Sequence, residues 1–419
     1  MKDGKVKNLL KTIGPGILFA GAAIGGSHLI QSTRAGANFG LDLLVLVLLI
    51  NLFKYPFFEF GHRYTASTGE SLLEGYLKLG RPTVMLFFIM NVFTSIINAA
   101  AVTLVTAGLC ANLFGLTFSP MIISLFVLLV TMAVLFVGRY SFLDSIMKVM
   151  IALLAITTIA TVLITIAIKD PTRLHQTVTQ PELWDAAGIA FLLALMGWMP
   201  APIESSVWPS LWAIERSKQT RYKPTLKEAL VDFHIGYIGT TIMALFFVGL
   251  GAFVMFGSGE TFSNSGVVFS SQLVSLYTKT IGEWSEIIIA TIVFITMMST
   301  TLTVFDAYPR TLAGSLKLIS TKLKTSVDSF YWWFGILMVI TSLIIIGLFT
   351  SGLKTLLDFA AIVSFLAAPV FAIINYKVVT SDFMPETDRP KKWLKILSWC
   401  GIIFLILFSL IFIISKFIY

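Results

Sequence analysis

Charged residues are scarce in this chain: they make up 12% of its 419 residues, whereas hydrophobic residues make up 57%. A soluble domain of this length could not bury so much apolar surface, so the composition argues against a soluble protein and predicts insertion into a lipid bilayer. The formal net charge is +8. Because the basic residues lie between the apolar runs rather than on one face, they do not indicate a nucleic-acid partner.

Cysteine and histidine are also scarce. The two cysteines, Cys110 and Cys400, lie inside apolar runs, which argues against a disulfide framework. The four histidines are scattered, without a His-Glu-x-x-His pattern, a nucleophile elbow or a phosphate-binding loop; they are His28, His62, His175 and His234. The sequence therefore gives no support to an enzyme and predicts no cofactor.

Eleven apolar runs are long enough to cross a bilayer, which takes about 20 residues. Their approximate bounds are 13–34, 41–64, 83–112, 119–137, 145–168, 186–213, 229–256, 284–307, 330–350, 354–377 and 394–417. Lys and Arg are concentrated in alternate connections, starting with the tail before the first run, while the others hold few, such as Lys169, Arg173 and Lys279. The positive-inside rule then predicts a cytoplasmic N-terminus and an extracytoplasmic C-terminus. Short loops and the lack of a signal peptide favour a bacterial inner membrane.

Two of these spans are interrupted at their centres. Ile24-Gly25-Gly26-Ser27-His28 interrupts the first span, and Gly197-Trp198-Met199-Pro200-Ala201-Pro202 interrupts the sixth. Such breaks persist at bilayer depth only where protein or a watery cavity covers the backbone. Paired breaks in two halves are typical of secondary transporters with inverted repeats and a substrate site at the membrane midplane. We therefore predict one all-α transporter domain over 1–419, with repeats over about 13–168 and 186–377 and an added helix over about 394–417.

The flanks of both breaks resemble the Nramp family of proton-coupled divalent-metal transporters. The matching residues are Gly14-Pro15-Gly16, Arg34-Ala35-Gly36-Ala37, Asn51-Leu52, Arg63, Thr68-Gly69, Leu73, Glu74, Met199-Pro200 and Ser364-Phe365. The resemblance is spread over most of the chain. It implies the leucine-transporter fold, with the first and sixth helices unwound at mid-membrane.

The residues that bind metal in that family are replaced in this chain. Where family members carry Asp-Pro-Gly-Asn, this sequence has Gly25-Gly26-Ser27-His28, and where they carry Met-Pro-His it has Met199-Pro200-Ala201. The family's tenth-helix glutamine falls on Ala360 or Ala361, and the third span has no acidic residue. Burying a divalent ion without an anionic ligand costs roughly several kcal/mol or more. The resemblance therefore implies a diverged member with a non-standard site.

The replaced residues suit a polar organic group. Glycines let a ligand approach the backbone closely, and amides that open a half-helix favour an acceptor group. The glycines could equally serve only tight helix packing. We expect one side of the site to present Gly25, Gly26, Ser27 and His28, and the other to present Met196, Trp198, Met199 and Ala201. In the alternative, family-like hypothesis, His28 and Met199 hold a metal ion.

Two charged residues inside the spans, Lys54 and Glu204, are expected at the same site, because intramembrane charges usually face a partner or a watery cavity. Lys54 would disfavour a divalent metal and favour an anionic or zwitterionic group; it could also replace a coupling ion or pair with Glu204. Glu204 is a candidate for a titrating or cation-binding carboxylate, or a structural partner of a basic residue. Glu59, His62 and Arg63 form an inner gate network or extend to the membrane surface.

The coupling ion is predicted to be a proton or sodium. Ser299, Thr300 and Thr303 of the eighth span offer hydroxyl groups, which join first-helix carbonyls around sodium in sodium-coupled relatives of this fold. Such hydroxyls also bond within their own helix, so a structural role stays open.

The predicted function is secondary active transport of a small polar organic solute by alternating access. The first alternative is proton-coupled transport of a divalent metal ion of the Mn, Fe or Mg class. The second is a membrane receptor or scaffold that does not transport. A channel is a weaker alternative, because the breaks form no repeated selectivity ring.

Overall fold

The computed structural model describes residues 11–137, 140–168, 181–320, 326–349 and 352–418, and regular structure within these ranges is helical. The basic tail up to Leu10, together with Lys169, Arg173 and His175, lies outside the described residues.

The α-helices within these ranges are numbered in chain order. They are α1 (Pro15–Ala23), α2 (Thr33–Phe39), α3 (Leu44–Thr68), α4 (Leu72–Leu79), α5 (Arg81–Phe114), α6 (Pro120–Val137), α7 (Tyr140–Ile168), α8 (Ala186–Trp198), α9 (Trp208–Thr220), α10 (Leu226–Val254), α11 (Gly266–Ile281), α12 (Glu286–Ile319), α13 (Val327–Leu348), α14 (Leu353–Thr380) and α15 (Lys392–Ile418). A π-helix (Ile24–Ser32) joins α1 to α2, and short 3₁₀ helices span Ile203–Val207, Glu283–Ser285 and Glu386–Asp388.

Ten helical segments in the described ranges are long and apolar enough to cross a membrane. They correspond in order to the second to eleventh predicted spans, with α8 and α9 together forming the sixth. The first predicted span is built from α1, the π-helix and α2 in succession. The all-α membrane architecture is thereby confirmed, while the division into inverted repeats stays a prediction.

The break in the first span requires a correction. Residues Ile24–Ser32 form a π-helix rather than unwound chain, and every residue of it is buried. A π-helix widens the turn but keeps backbone pairing, in the i to i+5 pattern. The amides that were expected to open a half-helix at this break therefore lie within the π-helix instead. The physical reason is that buried backbone groups need internal partners, which the wider helix supplies.

The break in the sixth span matches the prediction. Helix α8 ends at Trp198, Met199 is extended with φ −87° and ψ 123°, and the Met199–Pro200 peptide bond is cis. Neither Pro200 nor Pro202 has a backbone N–H, so the α8 hydrogen-bond ladder cannot continue through them. The chain becomes helical again at Ile203 and forms α9 from Trp208.

Glycines bring the interrupted spans close to their neighbours. A Cβ atom on Gly16 of α1 would lie 2.1 Å from the Asp232 carbonyl oxygen in α10. A Cβ atom on Gly197 of α8 would lie 2.0 Å from the Ala361 carbonyl oxygen in α14. Small residues of this kind let helix backbones approach within a membrane. They hold α1 against α10 and α8 against α14, which positions the two breaks.

Candidate functional site

A small cavity of about 50 Å³ lies between the two interrupted spans. Of the predicted site residues, Gly26, Ser27, Trp198, Ala201 and Thr300 line it. Asn98, Trp208 and Tyr308 also line it, and the sequence analysis did not include them. The volume corresponds to on the order of a few water molecules. A ligand larger than this volume would therefore enter only after the helices move.

Ser27 joins the two breaks directly. Its Oγ atom lies 2.7 Å from the Pro200 carbonyl oxygen and 2.7 Å from the Ala23 carbonyl oxygen. Gly26 lies against the Trp198 ring: a Cβ atom added to Gly26 would be 3.4 Å from the nearest ring carbon. Gly25 packs more tightly, because an added Cβ atom would meet the Thr300 Oγ1 atom at 2.0 Å. Ser27 and Gly26 therefore belong to the cavity, whereas Gly25 serves close packing of the π-helix on α12.

His28 lies outside the residues that line the cavity. Its Nε2 atom is 2.8 Å from the Thr240 carbonyl oxygen in α10, and its Nδ1 atom contacts the Ser27 hydroxyl and the Ala23 carbonyl oxygen. The ring also packs edge-on against Phe247. Because both ring nitrogens have protein partners, the imidazole is not presented to the cavity as the sequence analysis expected.

The two methionines of the predicted site also lie outside the cavity lining. Met196 and Met199 are fully buried and belong to an apolar cluster with Phe191 and Phe365. Neither lines the cavity. The structure therefore does not bring His28 and Met199 together there, as the metal-binding alternative requires. Among the described residues, no group of three or more His, Cys, Asp or Glu side chains could hold a metal ion.

Lys54 is buried in α3 and points its ammonium group at the end of α8. The Nζ atom donates to the carbonyl oxygens of Met196 at 2.7 Å, Gly197 at 2.9 Å and Ala201 at 3.1 Å. An ammonium group has three donors, so all of them are used. The last carbonyls of a helix lack helical partners and carry the negative end of the dipole. Lys54 therefore caps α8 at the break.

Asn98 of α5 connects the cavity to Glu204. Its Nδ2 atom donates to the Tyr308 hydroxyl at 2.9 Å and the Ser364 hydroxyl at 3.0 Å, and its Oδ1 atom accepts from Trp198 Nε1 at 3.0 Å. An asparagine inside a long apolar span was the available signal, because polar residues there usually bond across helices. Asn98 thus fixes the Trp198 ring in the wall of the cavity.

Glu204 is fully buried beside this network but is poorly paired. Its Oε1 atom lies 3.4 Å from donors on Asn98, Tyr308 and Ser364. Its Oε2 atom has no hydrogen-bond partner in the described part of the chain. A buried oxygen without a partner is unusual and invites a proton or a ligand.

The predicted hydroxyls of α12 divide into two groups. Thr300 lines the cavity and donates to the Gly21 carbonyl oxygen of α1 at 3.3 Å. Thr303 donates to the Ser299 carbonyl oxygen of its own helix at 2.9 Å. Ser299 and Thr303 are buried but do not line the cavity. Of the three, only Thr300 therefore has the position that a coupling site would need.

Charged contacts hold the first span at both of its ends. At its start, the Asp232 carboxylate accepts from the backbone amides of Gly14 at 3.0 Å and Gly16 at 2.7 Å. At its end, Arg34 donates two hydrogen bonds to Asp358 of α14, at 2.6 Å and 3.0 Å. Asp232 and Asp358 were not recognised from the sequence. Both contacts hold the first span in this arrangement, because each ties it to a different helix.

A second set of charges lies at the end of the bundle that carries Lys11. Arg63 pairs with Glu59 at 2.6 Å and donates to the Asp388 carbonyl oxygen at 2.7 Å. His62 Nε2 lies 3.9 Å from the Asp232 carboxylate. Arg63 and Glu59 therefore pair with each other inside the bundle, whereas His62 Nε2 has no hydrogen-bond partner among the described residues. Their role as an inner gate stays a prediction.

A larger cleft of about 620 Å³ opens at the same end of the bundle. Trp212 lines this cleft, Trp208 lines the small cavity, and their ring centroids are 5.9 Å apart. Trp208 also meets Tyr308 edge to face, with centroids 4.9 Å apart. These aromatic rings therefore lie between the cavity and the cleft.

Comparison with known proteins agrees with this architecture. The chain is 41% identical to an uncharacterized protein of Pasteurella multocida, over 96% of this chain and 92% of that one. It is 24% identical to the divalent metal cation transporter MntH of Staphylococcus saprophyticus, over 98% and 93% of the two chains.

Solved structures show the same fold at low identity. A manganese transporter of Eremococcus coleocola superposes with a TM-score of 0.73 at 14% identity, covering 97% of this chain and 86% of that one. MhsT in complex with L-phenylalanine superposes with a TM-score of 0.64 at 13% identity, over 96% and 98% of the chains. The family model described as natural resistance-associated macrophage protein-like matches residues 16–415. The chain therefore belongs to the Nramp family of membrane transporters and has the leucine-transporter-like fold that the resemblance implied.

Proposed function

We propose that this protein transports a small polar organic solute by alternating access through the cavity between the interrupted helices. The observation that carries the proposal is the position of Lys54, whose ammonium group already neutralises the carbonyl end of α8. A fixed positive charge at the break repels a divalent ion, which would also have to lose its water. The same charge is compatible with a neutral, zwitterionic or anionic solute.

The cavity lining offers neutral polar groups between aromatic walls. Ser27 and Thr300 provide hydroxyls, and Trp198 and Trp208 provide ring faces. The Trp208 indole N–H is buried and has no hydrogen-bond partner among the described residues. A buried donor without a partner costs about 1–3 kcal/mol, which a carbonyl or carboxylate oxygen of a solute would recover. We therefore assign Trp208 as a donor to the solute.

Alternating access would use the contacts at the two ends of the first span. Breaking Arg34–Asp358 would open the site on one side, and releasing α1 from Asp232 would open it on the other. The 620 Å³ cleft is then the exit on the side that carries Lys11. From the distribution of Lys and Arg we assign that side to the cytoplasm of a bacterial cell.

Glu204 is the proposed coupling carboxylate. It is buried, it has one oxygen without a partner, and it is connected to the cavity through Asn98 and Tyr308. Protonation would remove its buried charge, so a proton gradient could favour one state of the transporter.

Divalent-metal transport is the second candidate. It is favoured by the names of the Staphylococcus relative and the Eremococcus structural neighbour, and by the partnerless Oε2 atom of Glu204. In that case Glu204 would supply the anionic ligand that the first-helix break lacks.

Binding and uptake measurements separate these functions. We expect no saturable heat in titrations with manganese, cadmium or magnesium, and saturable uptake of a member of a radiolabelled panel of amino acids, amides and small carboxylic acids into proteoliposomes. Micromolar metal binding that Glu204→Gln abolishes would overturn the organic-solute proposal. A protein without saturable flux of any solute or ion would be a receptor or scaffold.

A matched pair of tryptophan variants tests the site itself. Trp208→Phe keeps an aromatic ring and removes the N–H donor, so we expect KM for the transported solute to rise about 3- to 10-fold, the equivalent of one hydrogen bond. Trp212→Phe removes a similarly unpartnered N–H outside the cavity, and should leave KM unchanged. Equal effects of the two substitutions would count against the proposed binding position.

A further inference from the structure

The contacts of Lys54 have the geometry of an occupied cation site. Carbonyl oxygens of Met196, Gly197 and Ala201 converge on one nitrogen at 2.7–3.1 Å. Backbone carbonyls arranged around one point are the ligands that hard cations prefer in proteins and in selectivity filters. In this protein the cation is the side-chain ammonium group of Lys54, a residue of α3.

The break in α8 explains why these oxygens are available. The Met196 carbonyl would normally accept from the residue four positions later, but that residue is Pro200 and has no N–H. Gly197 is in the last turn of α8, and Ala201 lies in the non-helical segment beyond it. Without a cation, three oxygens in a buried position would lose their partners. The partial negative charges at the end of α8, which form the negative end of the helix dipole, would also be left uncompensated.

Glu204 adds a formal charge to this region. It lies three residues beyond Ala201, and its carboxylate and the Lys54 ammonium attract each other electrostatically. The two side chains make no direct ion pair within 4.0 Å, because Lys54 gives its protons to the carbonyls. The break therefore combines three carbonyl oxygens and one nearby carboxylate around a single positive charge.

We propose that Lys54 is a tethered counter-cation, which occupies a carbonyl site that would otherwise take a free hard metal ion. The native protein then needs no inorganic ion at the break of the sixth span. Removing the ammonium group should convert this position into an ion-binding site. The inference concerns the cation at the helix break and does not depend on which solute is transported.

Lys54→Ala removes the charge and opens space at the carbonyls. We expect this variant to bind one ion of Na⁺, K⁺ or Mn²⁺ per chain by isothermal titration calorimetry, in a buffer whose ionic strength is set by choline chloride. Its Tm should rise with the concentration of the same ion. The wild-type protein and Lys54→Arg, which keeps a tethered charge, should show neither effect.

A second substitution tests the ligand set. In Lys54→Ala/Glu204→Gln the bound ion loses the nearby carboxylate, so we expect its affinity to fall at least tenfold, with the larger loss for Mn²⁺. Lys218→Ala removes an exposed lysine paired with Glu215 and serves as the control for a general loss of charge.

The possible outcomes are decisive. A folded Lys54→Ala protein that binds none of the three ions overturns the proposal, as does equal ion binding by the wild type. If Lys54→Ala aggregates in choline chloride, recovery of monodisperse protein in one of the ions supports the proposal. Aggregation in all of them overturns it, because the carbonyl site then cannot hold a free cation.

Discussion

Gly197 lies where α8 packs so closely on α14 that there is no room for a Cβ atom. An alanine Cβ atom there would lie 2.0 Å from the Ala361 carbonyl oxygen, 2.7 Å from the carbonyl carbon, and 3.3 Å from the Phe365 Cβ atom. The first two atoms belong to the α14 backbone, so no side-chain rotation relieves the contact. Gly197→Ala therefore requires α8 and α14 to separate by about 1.4 Å, because ordinary contact between a carbon and an oxygen begins near 3.4 Å.

The expected cost combines two destabilising effects and one stabilising effect. Overpacking of this kind costs about 1–3 kcal/mol, and a backbone obstacle places it at the upper end. Moving α8 also lengthens the hydrogen bonds from Lys54 to the Met196 and Gly197 carbonyls, and a bond to a charged group contributes about 1.5–3 kcal/mol. Helix propensity offsets about 1 kcal/mol, because alanine favours the helix more than glycine. We expect a net loss of about 3 kcal/mol in the free energy of unfolding.

Gly239 provides the matched control, because it lies within α10 and an added Cβ atom meets no atom within 4 Å. Gly239→Ala should leave stability unchanged or raise it by up to about 1 kcal/mol. Reversible unfolding in mixed detergent micelles measures both variants, and solute uptake into proteoliposomes measures whether the displaced break still functions. Wild-type stability and uptake in Gly197→Ala would refute the argument from close α8–α14 contact.

Three further substitutions test the ends of the first span and the coupling group. Asp232→Asn keeps one acceptor oxygen but loses the other, together with the negative charge at the start of α1. The free energy of unfolding should therefore fall by about 1–3 kcal/mol. An unchanged Tm would contradict the capping role of Asp232. Arg34→Lys cannot form both hydrogen bonds to Asp358, so it should lower the free energy of unfolding by about 1 kcal/mol. The control is Arg389→Lys, which should have no measurable effect on Tm because its partner Asp382 is 98% exposed. Glu204→Gln should abolish the acceleration of solute uptake by an inward proton gradient, whereas uptake down a solute gradient should persist. If this variant is accelerated as much as the wild type, Glu204 is not the coupling group.

Several features of the fold could be predicted because they depend on short stretches of chain. Bilayer crossing requires a minimum length of apolar sequence, so the second to eleventh spans and their order were confirmed. Pro200 and Pro202 lack the N–H that a helix needs, so the break in the sixth span could also be located. The first break was located correctly, but its form was not. Glycine permits an extended chain, a close helix contact or a π-helix equally well, and packing against neighbouring helices selects among them.

The direction of individual side chains could not be read from the sequence. His28 is next to the cavity-lining Ser27, yet its imidazole bonds to Thr240, which is 212 residues away along the chain. Lys54 was expected to favour an anionic group, to replace a coupling ion or to pair with Glu204, and only the structure shows that three carbonyl oxygens of the broken helix hold its ammonium group. Asn98 was overlooked because its partners, Trp198, Tyr308 and Ser364, come from three other helices.

The amino-acid sequence by itself determined that this chain enters a membrane, where it crosses the bilayer, and which two spans cannot continue as regular α-helices. Hydropathy, proline and glycine act over a few residues, so these properties are present before any helix meets another. The tertiary structure alone decided which groups surround the cavity and which cation neutralises the end of α8. Those outcomes depend on donors and acceptors that become neighbours only when the helices pack, since each buried polar group must find its partner among them.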